Sequence, residues 1–451
     1  MILRRPFRVH QVDSAQHELK LMAAAACALQ VCGYVASEDA TIGVFIAMCT
    51  FCDRLQEPAS TRTMGNHALI FGATGIQGWA VTRELLNGYP SPSDFDRITA
   101  LTNRPITGEM LWPKSDRLQV VSGIDLLGDK VVQEMKERVP DITGVTHVFF
   151  FAYIYQENPD DEIAINVELL KKAISSVETL SAKLKFVLLP TGTKAYGVHL
   201  LDKFPFADKL PLSEDLPRIP EPFASQNFYY HQTDWLEAAS KGREWSYCEI
   251  RPDVVVGFVP NNNVYCLAQT LATYLACYRE VEGDGAECAF PGTELSWKAL
   301  SNDSDQDTIA RFSIHAALHP ETFGKGQAFN VASNRTASSW QEKWPVICEF
   351  FGLKGAPPPL DGSGPQPGQY LSERLEQWQA LERKHSLVTG RVGNDRSLAT
   401  FQGFIMTLLN YDRPLDLERQ NQAWGQATEE KDSKQVWWTA FQRFRDAKII
   451  P

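Results

Sequence analysis

A glycine-rich turn near residue 70 of this 451-residue chain lies between an apolar run and a segment of helical periodicity. The run His67–Phe71 is typical of a buried strand, and Gly72, Gly75 and Gly78 follow it directly. In such a strand–turn–helix unit, the first glycine permits a tight turn, the second lets a pyrophosphate approach the backbone, and the third lets helix and strand pack closely. The pattern therefore predicts a dinucleotide site at the helix N-terminus; a glycine-rich turn without a ligand is the alternative.

Strand and helix patterns alternate along the chain as far as about residue 260. Near-continuous apolar strands alternating with helices predict a parallel sheet covered on both faces. The sequence thus predicts an α/β protein with an NAD(P)-binding Rossmann fold and a smaller, mainly helical C-terminal substrate domain. The later predicted strands are Arg97–Leu101, Leu118–Val121, Thr146–Ala152, Leu184–Pro190, Ser246–Arg251 and 327–332. The helices predicted between them are Lys130–Val139, Ile163–Leu180 and Tyr229–Ser240.

The predicted organisation has three parts. Residues 66–260, with a returning strand near 327–332, form the NADP-binding domain, and residues 261–451 form the substrate-binding cap and helical C-terminal region. Residues 1–65 are an atypical N-terminal extension without a catalytic part. Its two apolar runs are each shorter than the roughly 18 residues that a membrane span needs. A gene-model artefact and a membrane tether are the alternatives for this extension.

The net charge and the cysteine content argue against several kinds of binding partner and site. The formal net charge of -11 argues against general nucleic-acid binding, which needs a basic surface. Nine cysteines are too few for a disulfide framework, and no second ligand pair follows Cys49 and Cys52 at a zinc-like spacing. We therefore expect free thiols in a cytoplasmic protein that has no metal site, no nucleic-acid partner and no membrane partner; a homodimer is compatible with the sequence.

The end of the second predicted strand distinguishes NAD from NADP. An acidic residue there would hold the ribose hydroxyls, but the chain continues with Asn103 and Arg104. Arg104 can pair with a 2′-phosphate and Asn103 can donate to it. The sequence therefore predicts NADPH as the cofactor; an ordinary solvated arginine is the alternative.

Three further residues are candidates for cofactor binding. Asp125 and Leu126 follow the third predicted strand and could flank the adenine, as acceptor for its exocyclic amine and as an apolar wall. A helix N-cap is the alternative for Asp125. Ala152, at the end of the fourth predicted strand, completes this set.

The catalytic residues do not follow the usual short-chain dehydrogenase/reductase pattern, in which a tyrosine and a lysine stand one helical turn apart as Y-x-x-x-K. Tyr229 and Tyr230 open a predicted helix, but positions 233 and 234 are threonine and aspartate. A lysine stands elsewhere, at Lys194, just past the fifth predicted strand. Taken alone, Tyr229 is compatible with core packing and Lys194 with a surface loop.

This displaced tyrosine–lysine pair is accompanied by several recognisable stretches between about residue 66 and the C-terminus. They are Thr191-Gly192-Thr193-Lys194, Ser213-Glu214-Asp215-Leu216-Pro217-Arg218, Asn227-Phe228-Tyr229-Tyr230, Arg251-Pro252, Gly257-Phe258, Pro291-Gly292 with Trp297, Ala328-Phe329-Asn330 and Lys448-Ile449-Ile450-Pro451. In these stretches the chain resembles the PRISE family, the progesterone 5β-reductase and iridoid synthase group of extended short-chain dehydrogenase/reductases.

The resemblance implies roles for individual residues. Tyr229 would be the catalytic tyrosine that bonds the substrate carbonyl oxygen, and Lys194 would replace the usual lysine. An ammonium close to a phenol would lower the pKa of the tyrosine. The residues that the resemblance places on the cofactor are Thr74, Gly75 and Ile76 at the phosphates, and Tyr229, Val255, Asn262, Asn263 and Val264 near the nicotinamide.

The function expected from these features is NADPH-dependent reduction of an enone or enal, in secondary metabolism. The aromatic residues Phe151, Tyr153, Phe228 and Tyr265 favour a small apolar substrate. The same site could instead deliver hydride to a ketone or aldehyde carbon. A non-catalytic dinucleotide sensor is the third alternative, although a sensor would not need Tyr229 and Lys194 together.

Overall fold

The computed structural model describes residues 65–263, 265–360, 362, 364–394 and 400–451. The predicted N-terminal extension, apart from residue 65, and Val264 lie outside the described residues. Within the described ranges, no helix combines the length and the apolar character that crossing a membrane requires.

A seven-stranded parallel sheet forms the centre of the fold. The strands of the described chain are β1 (Asn66–Phe71), β2 (Phe95–Thr102), β3 (Leu118–Ser122), β4 (His147–Phe150), β5 (Phe186–Pro190), β6 (Ser246–Pro252), β7 (Val255–Val256), β8 (Glu287–Ala289), β9 (Ser304–Asp305), β10 (Gln327–Val331) and β11 (Lys354–Ala356). The order in the large sheet is β10-β6-β5-β4-β1-β2-β3. In the central pairs Ala68 lies opposite Ile98 of β2 and His147 of β4.

Helices cover both faces of this sheet. They are α1 (Ile76–Asn87), α2 (Val131–Arg138), α3 (Pro159–Leu180), α4 (Phe228–Ser240), α5 (Leu267–Glu282), α6 (Glu294–Lys298), α7 (Gln306–Leu318), α8 (Pro320–Phe323), α9 (Trp340–Phe350), α10 (Pro367–Glu373), α11 (Leu375–His385), α12 (Thr400–Gly403), α13 (Glu418–Trp424) and α14 (Ser433–Asp446). Phe404–Leu408 continues α12 as a π-helix.

The alternation of side chains along β1 separates two cores. Ala68 and Ile70 belong to the core that contains residues of α1 and α7, whereas Leu69 and Phe71 belong to the core that contains residues of α2 and α3. Successive strand residues point to opposite faces, so a strand that is apolar throughout must be covered on both sides. The predicted Rossmann-type fold is therefore confirmed, as is the mainly helical C-terminal region.

The beginning of α3 differs from the prediction. The helix starts at Pro159, four residues before the predicted Ile163. Asn158 caps it, because its side chain accepts a hydrogen bond from the Asp160 N–H at 2.8 Å, and Pro159 suits a first helical position. The early start brings Glu162 into the helix at the carboxyl edge of the sheet.

The C-terminal helix α14 packs against the first helix through an aromatic chain. Phe444 meets Phe258 with ring centroids 4.9 Å apart, and Phe258 meets Trp79 of α1 at 5.1 Å. Both contacts are edge-on, the arrangement that aromatic quadrupoles favour. The last residues of the chain thus help to fix the helix that follows the glycine turn.

Candidate active site

The glycine turn after β1 has the geometry of a phosphate cradle. Gly72 has a φ of 73°, and a Cβ placed on it would lie 2.6 Å from the Phe151 carbonyl oxygen. A Cβ on Gly78 would lie 2.4 Å from the Gly72 oxygen. Gly75 precedes α1 as its N-cap, and no side chain caps the helix. The first N–H groups of α1 are therefore left to face an anion, so the turn fits a dinucleotide phosphate.

Thr74, at the tip of this turn, is held from two sides. Its carbonyl oxygen accepts a hydrogen bond from the Asn261 side chain at 3.0 Å, and its hydroxyl lies 3.4 Å from the Thr102 hydroxyl at the end of β2. Asn103 and Arg104 follow and are exposed. Within the described chain Arg104 forms no ion pair, so its guanidinium is free to meet a 2′-phosphate; that role stays a prediction.

The predicted adenine-binding residues lie beyond β3. The exposed Asp125 carboxylate accepts a hydrogen bond from the Leu127 N–H at 3.0 Å in a turn that precedes α2. It is not the N-cap of that helix, which is Lys130. Leu126 is buried in the core on this face of the sheet. Ala152 has its backbone nitrogen 2.9 Å from a Cβ placed on Gly72. The cofactor contacts of these residues stay predictions.

One asparagine holds both predicted catalytic residues. Asn227 caps α4, and its side-chain oxygen accepts from the Tyr229 N–H at 3.1 Å, while its amide donates to the Lys194 carbonyl oxygen at 2.9 Å. The Tyr229 hydroxyl lies 3.7 Å from a Cβ placed on Gly192, at the end of β5. The structure thus brings Tyr229 and the turn carrying Lys194 together at the carboxyl edge of the sheet, where ligands bind in such folds.

The ammonium of Lys194 is paired with a carboxylate. Its Nζ lies 3.7 Å from Glu162 Oε2 and 5.6 Å from the centre of the Phe228 ring. The Glu162 carboxylate also accepts a hydrogen bond from the Tyr153 hydroxyl at 2.5 Å. Tyr153, Glu162 and Lys194 therefore form one polar chain beside Tyr229.

This pairing corrects the expectation that Lys194 lowers the pKa of Tyr229. Burial raises the pKa of Tyr229, and the carboxylates of Glu162 and Glu249 raise it further. Each of these effects disfavours the phenolate. Tyr229 therefore carries its proton at neutral pH, and within the described residues its hydroxyl has no hydrogen-bond partner.

Glu162 was missed by sequence reasoning. Asp160, Asp161 and Glu162 form an acidic first turn, which the helix dipole alone explains. Only Glu162 of the three is buried. One turn further on, the Asn166 side chain exchanges hydrogen bonds with the Ile154 backbone at 2.9 and 2.7 Å, which fixes the connection after β4. The sequence alone does not distinguish Glu162 from the two exposed acids beside it, because its burial depends on where α3 lies in the fold.

Aromatic rings surround the polar chain on one side. Tyr153 stacks on Phe228 at 5.6 Å, and Phe228 meets Tyr229 edge-on at 4.5 Å. Tyr265 approaches Tyr153 at 6.1 Å and Phe401 at 5.6 Å. These rings form an aromatic wall against the ring of Tyr229.

The residues predicted near the nicotinamide lie in the segment after β6. Val255 is a half-buried residue of β7. The Asn262 amide donates to the Gly390 carbonyl oxygen at 2.9 Å, and the Asn263 side chain accepts from the Tyr265 N–H at 3.0 Å. The segment is therefore fixed between the aromatic wall and the loop that follows α11. Its contact with the nicotinamide stays a prediction.

A buried ion pair joins the C-terminal region to the turn that carries Lys194. Arg413 Nε lies 3.1 Å from Asp253 Oδ2, and both side chains are almost completely buried. The other carboxylate oxygen of Asp253 accepts from the Thr193 hydroxyl at 3.3 Å. Asp253 thus connects the chain after β6, the residue preceding Lys194 and a residue far along the sequence.

Comparison with known proteins gives the class first. The fold is similar to that of the Bordetella bronchiseptica enzyme WbmH, solved in complex with NAD+, with a TM-score of 0.52, 16% identity, and coverage of 84% of this chain and 99% of that chain. At that identity the likeness shows the fold alone. Together with the glycine turn, it defines the class of the chain as a Rossmann-fold protein. Residues 68–451 match the PRISE-like Rossmann-fold domain, and the chain belongs to that family, as its sequence predicts.

Curated relatives agree with this assignment. The chain is 33% identical over 395 residues to the short chain dehydrogenase sirQ of Leptosphaeria maculans, covering 85% of this chain and 97% of that protein. It is 32% identical over 302 residues to (S)-8-oxocitronellyl enol synthase ISY1 of Nepeta racemosa, covering 67% and 73%. The 3-oxo-Delta(4,5)-steroid 5-beta-reductase of Arabidopsis thaliana is 28% identical over 306 residues, with the same coverage.

Proposed function

We propose that the chain is an NADPH-dependent reductase that adds hydride to the conjugated C=C bond of an apolar enone or enal. The observation that carries the proposal is the Tyr229 hydroxyl. Like any ordinary tyrosine it carries its proton at neutral pH, and burial and two carboxylates raise its pKa further; its ring lies against the aromatic wall at the carboxyl edge of the sheet. Such a hydroxyl suits a substrate oxygen on which negative charge develops.

The residues of the glycine turn would hold the cofactor phosphates, and Arg104 would hold the 2′-phosphate. When bound, the reduced nicotinamide supplies a hydride to the β-carbon of the substrate. Tyr229 orients the carbonyl oxygen and donates a hydrogen bond to it, which strengthens as the oxygen gains enolate character. The α-carbon of the enolate then takes a proton from solvent, which gives the saturated carbonyl product. Since this hydrogen bond is stronger in the transition state than in the bound substrate, it raises kcat.

The polar chain beside Tyr229 gives the site its charge balance. Glu162 neutralises Lys194, and the same carboxylate keeps the phenolate of Tyr229 unfavourable. The aromatic wall of Tyr153, Phe228 and Tyr265 offers the substrate an apolar surface.

The relatives also support the proposal, since the name of one of them specifies a 5β-reductase acting on a 3-oxo-Delta(4,5)-steroid. A role in secondary metabolism is part of the same proposal.

Incubation with NADPH and a matched panel of apolar substrates tests the proposal. The panel pairs each cyclic or open-chain enone with its saturated ketone, so that only the conjugated C=C bond differs. We expect NADPH oxidation with enones and a saturated carbonyl product, and little oxidation with the saturated ketones. Consumption of the saturated ketones with formation of alcohols would instead identify a carbonyl reductase. Absence of turnover on the whole panel, with NADPH bound, would favour the non-catalytic sensor.

Replacing Arg104 with alanine should remove most of the preference for NADPH over NADH. Loss of a charge-assisted pair with the 2′-phosphate costs about 1–3 kcal/mol, which corresponds to roughly a 5–150-fold weaker NADPH affinity. The affinity for NADH should change little, because NADH has no phosphate at that position. Titration of both nucleotides by fluorescence measures the ratio.

Arg335, another exposed arginine, provides the control, and Arg335→Ala should leave the ratio unchanged. An unmodified protein that bound NADH as tightly as NADPH would contradict the assignment of Arg104.

A further inference from the structure

Arg391, in the loop after α11, is a partly buried cation whose hydrogen-bond acceptors among the described residues are neutral. One terminal nitrogen of its guanidinium donates to the Pro260 carbonyl oxygen, and the other lies 3.5 Å from the Asn262 side-chain oxygen. No carboxylate of the described residues lies within ion-pair distance of it. Burial alone lowers the pKa of this guanidinium. A partly buried charge gains from a counter-charge, and within the described residues Arg391 has none, so its guanidinium can still take an anion.

Hydrogen bonds of Asn261 and Asn262 connect the turn that carries Arg391 with the glycine turn after β1. Asn262 binds the Gly390 carbonyl oxygen at 2.9 Å and accepts from the Gln269 amide at 3.1 Å, so the turn carrying Arg391 is fixed to the segment after β6 and to the start of α5. The neighbouring Asn261 donates to the Thr74 carbonyl oxygen. Arg391 is thus connected to the phosphate cradle through a short segment of well-bonded residues.

We propose that Arg391 binds the pyrophosphate of the dinucleotide cofactor, opposite the N-terminus of α1. This assignment rests on the dinucleotide site of the proposed function and adds a cation that is distant in sequence from the glycine turn. A neutral donor would satisfy the Pro260 and Asn262 oxygens equally well, so it is the charge that calls for a ligand. The helix N-terminus supplies N–H groups to one side of a diphosphate, and a guanidinium suits the other side.

Comparing NADPH with NADH distinguishes a contact with the pyrophosphate from a contact with the 2′-phosphate. NADPH and NADH share the pyrophosphate, whereas only NADPH has the 2′-phosphate that Arg104 faces. Arg391→Gln should therefore weaken NADPH and NADH by the same factor, about 10–100-fold, because a hydrogen bond to a charged group is lost. Arg104→Ala should weaken NADPH alone. Arg391→Lys, which keeps the charge, should recover most of the affinity.

The experiment is calorimetric or fluorescence titration of both nucleotides without substrate, with thermal melting to show that each variant is folded. Arg445→Gln controls for the loss of an arginine elsewhere on the protein. Arg445 is exposed, its Nε donates to a backbone oxygen of Pro451 at 2.8 Å, and it lines a surface pocket with Arg279 near the far end of α5. Nucleotide affinity should not change in this control.

Unchanged affinity of folded Arg391→Gln for both nucleotides would overturn the assignment, as would a loss confined to NADPH. Equal losses in the glutamine and lysine variants would also overturn it, because they would indicate packing and not charge. If both nucleotides bind through Arg391 but no enone is reduced, the proposed reaction is wrong and the role of Arg391 stands. If the protein binds neither nucleotide, both the proposed reaction and the role of Arg391 are wrong.

Discussion

Replacing Tyr229 with phenylalanine should lower kcat by about 10²–10³-fold while leaving NADPH affinity nearly unchanged. The substitution keeps the ring, so the edge-on contact with Phe228 and the N-terminal cap of α4 persist. It removes only the hydroxyl, which forms no hydrogen bond within the described residues and is therefore not needed for the fold. Steady-state kinetics and nucleotide titration of the same preparation measure the two effects.

Tyr230→Phe is the matched control. The Tyr230 hydroxyl donates to the Ala195 carbonyl oxygen at 2.6 Å and accepts from the Ile219 N–H at 3.0 Å. Its removal leaves two buried backbone groups without a partner, so we expect a loss of about 1–3 kcal/mol in the free energy of unfolding. Turnover of the folded fraction should be retained. A Tyr229→Phe variant with full turnover on a substrate of the unmodified protein would contradict the proposed role.

Replacing Asp253 with alanine should lower the free energy of unfolding by about 3–5 kcal/mol, because it leaves the buried Arg413 without its partner. The side chains of Arg413 and Asp253 are 3% and 2% exposed, so water cannot replace the lost carboxylate. The Thr193 hydroxyl loses its acceptor in the same step, and the turn that carries Lys194 loses an anchor. Denaturant unfolding measures the stability change.

The exposed ion pair of Arg218 and Asp234 is the control, because it has the same charges as the Arg413 pair but is not buried. Its side chains are 51% and 53% exposed, and exposed pairs contribute about 0–1 kcal/mol. Asp234→Ala should therefore change the free energy of unfolding much less than Asp253→Ala. Equal effects of the two substitutions would show that burial of the Arg413 pair does not govern its contribution.

The sheet and the glycine turn could be predicted from the sequence because their signals are local. Alternating apolar strands and helices fix a parallel sheet, and Gly72 and Gly78 occupy positions where a Cβ would meet backbone at 2.6 and 2.4 Å. The start of α3 is harder to predict, because Pro159 and the three acidic residues after it are also typical of a loop. They are the first turn of the helix, which Asn158 caps.

The polar organisation of the site could not be predicted in the same way, because it depends on contacts between distant residues. Glu162 and Lys194 are 32 positions apart in the sequence, and their pairing follows from the positions of α3 and the turn after β5. Without that pairing, Lys194 was expected to act on the pKa of Tyr229. Arg391 and Pro260 are 131 positions apart in the sequence, and no local pattern predicts their contact.

Transfer of deuterium from NADPH labelled at C4 of the nicotinamide tests the central claim most directly. The labelled cofactor is incubated with the protein and an apolar enone, and the position of the label in the product is read by NMR and mass spectrometry. We predict deuterium at the β-carbon of a saturated product that retains its carbonyl group. Deuterium at the former carbonyl carbon, in an allylic alcohol, would contradict enone reduction and assign the chain to carbonyl reduction.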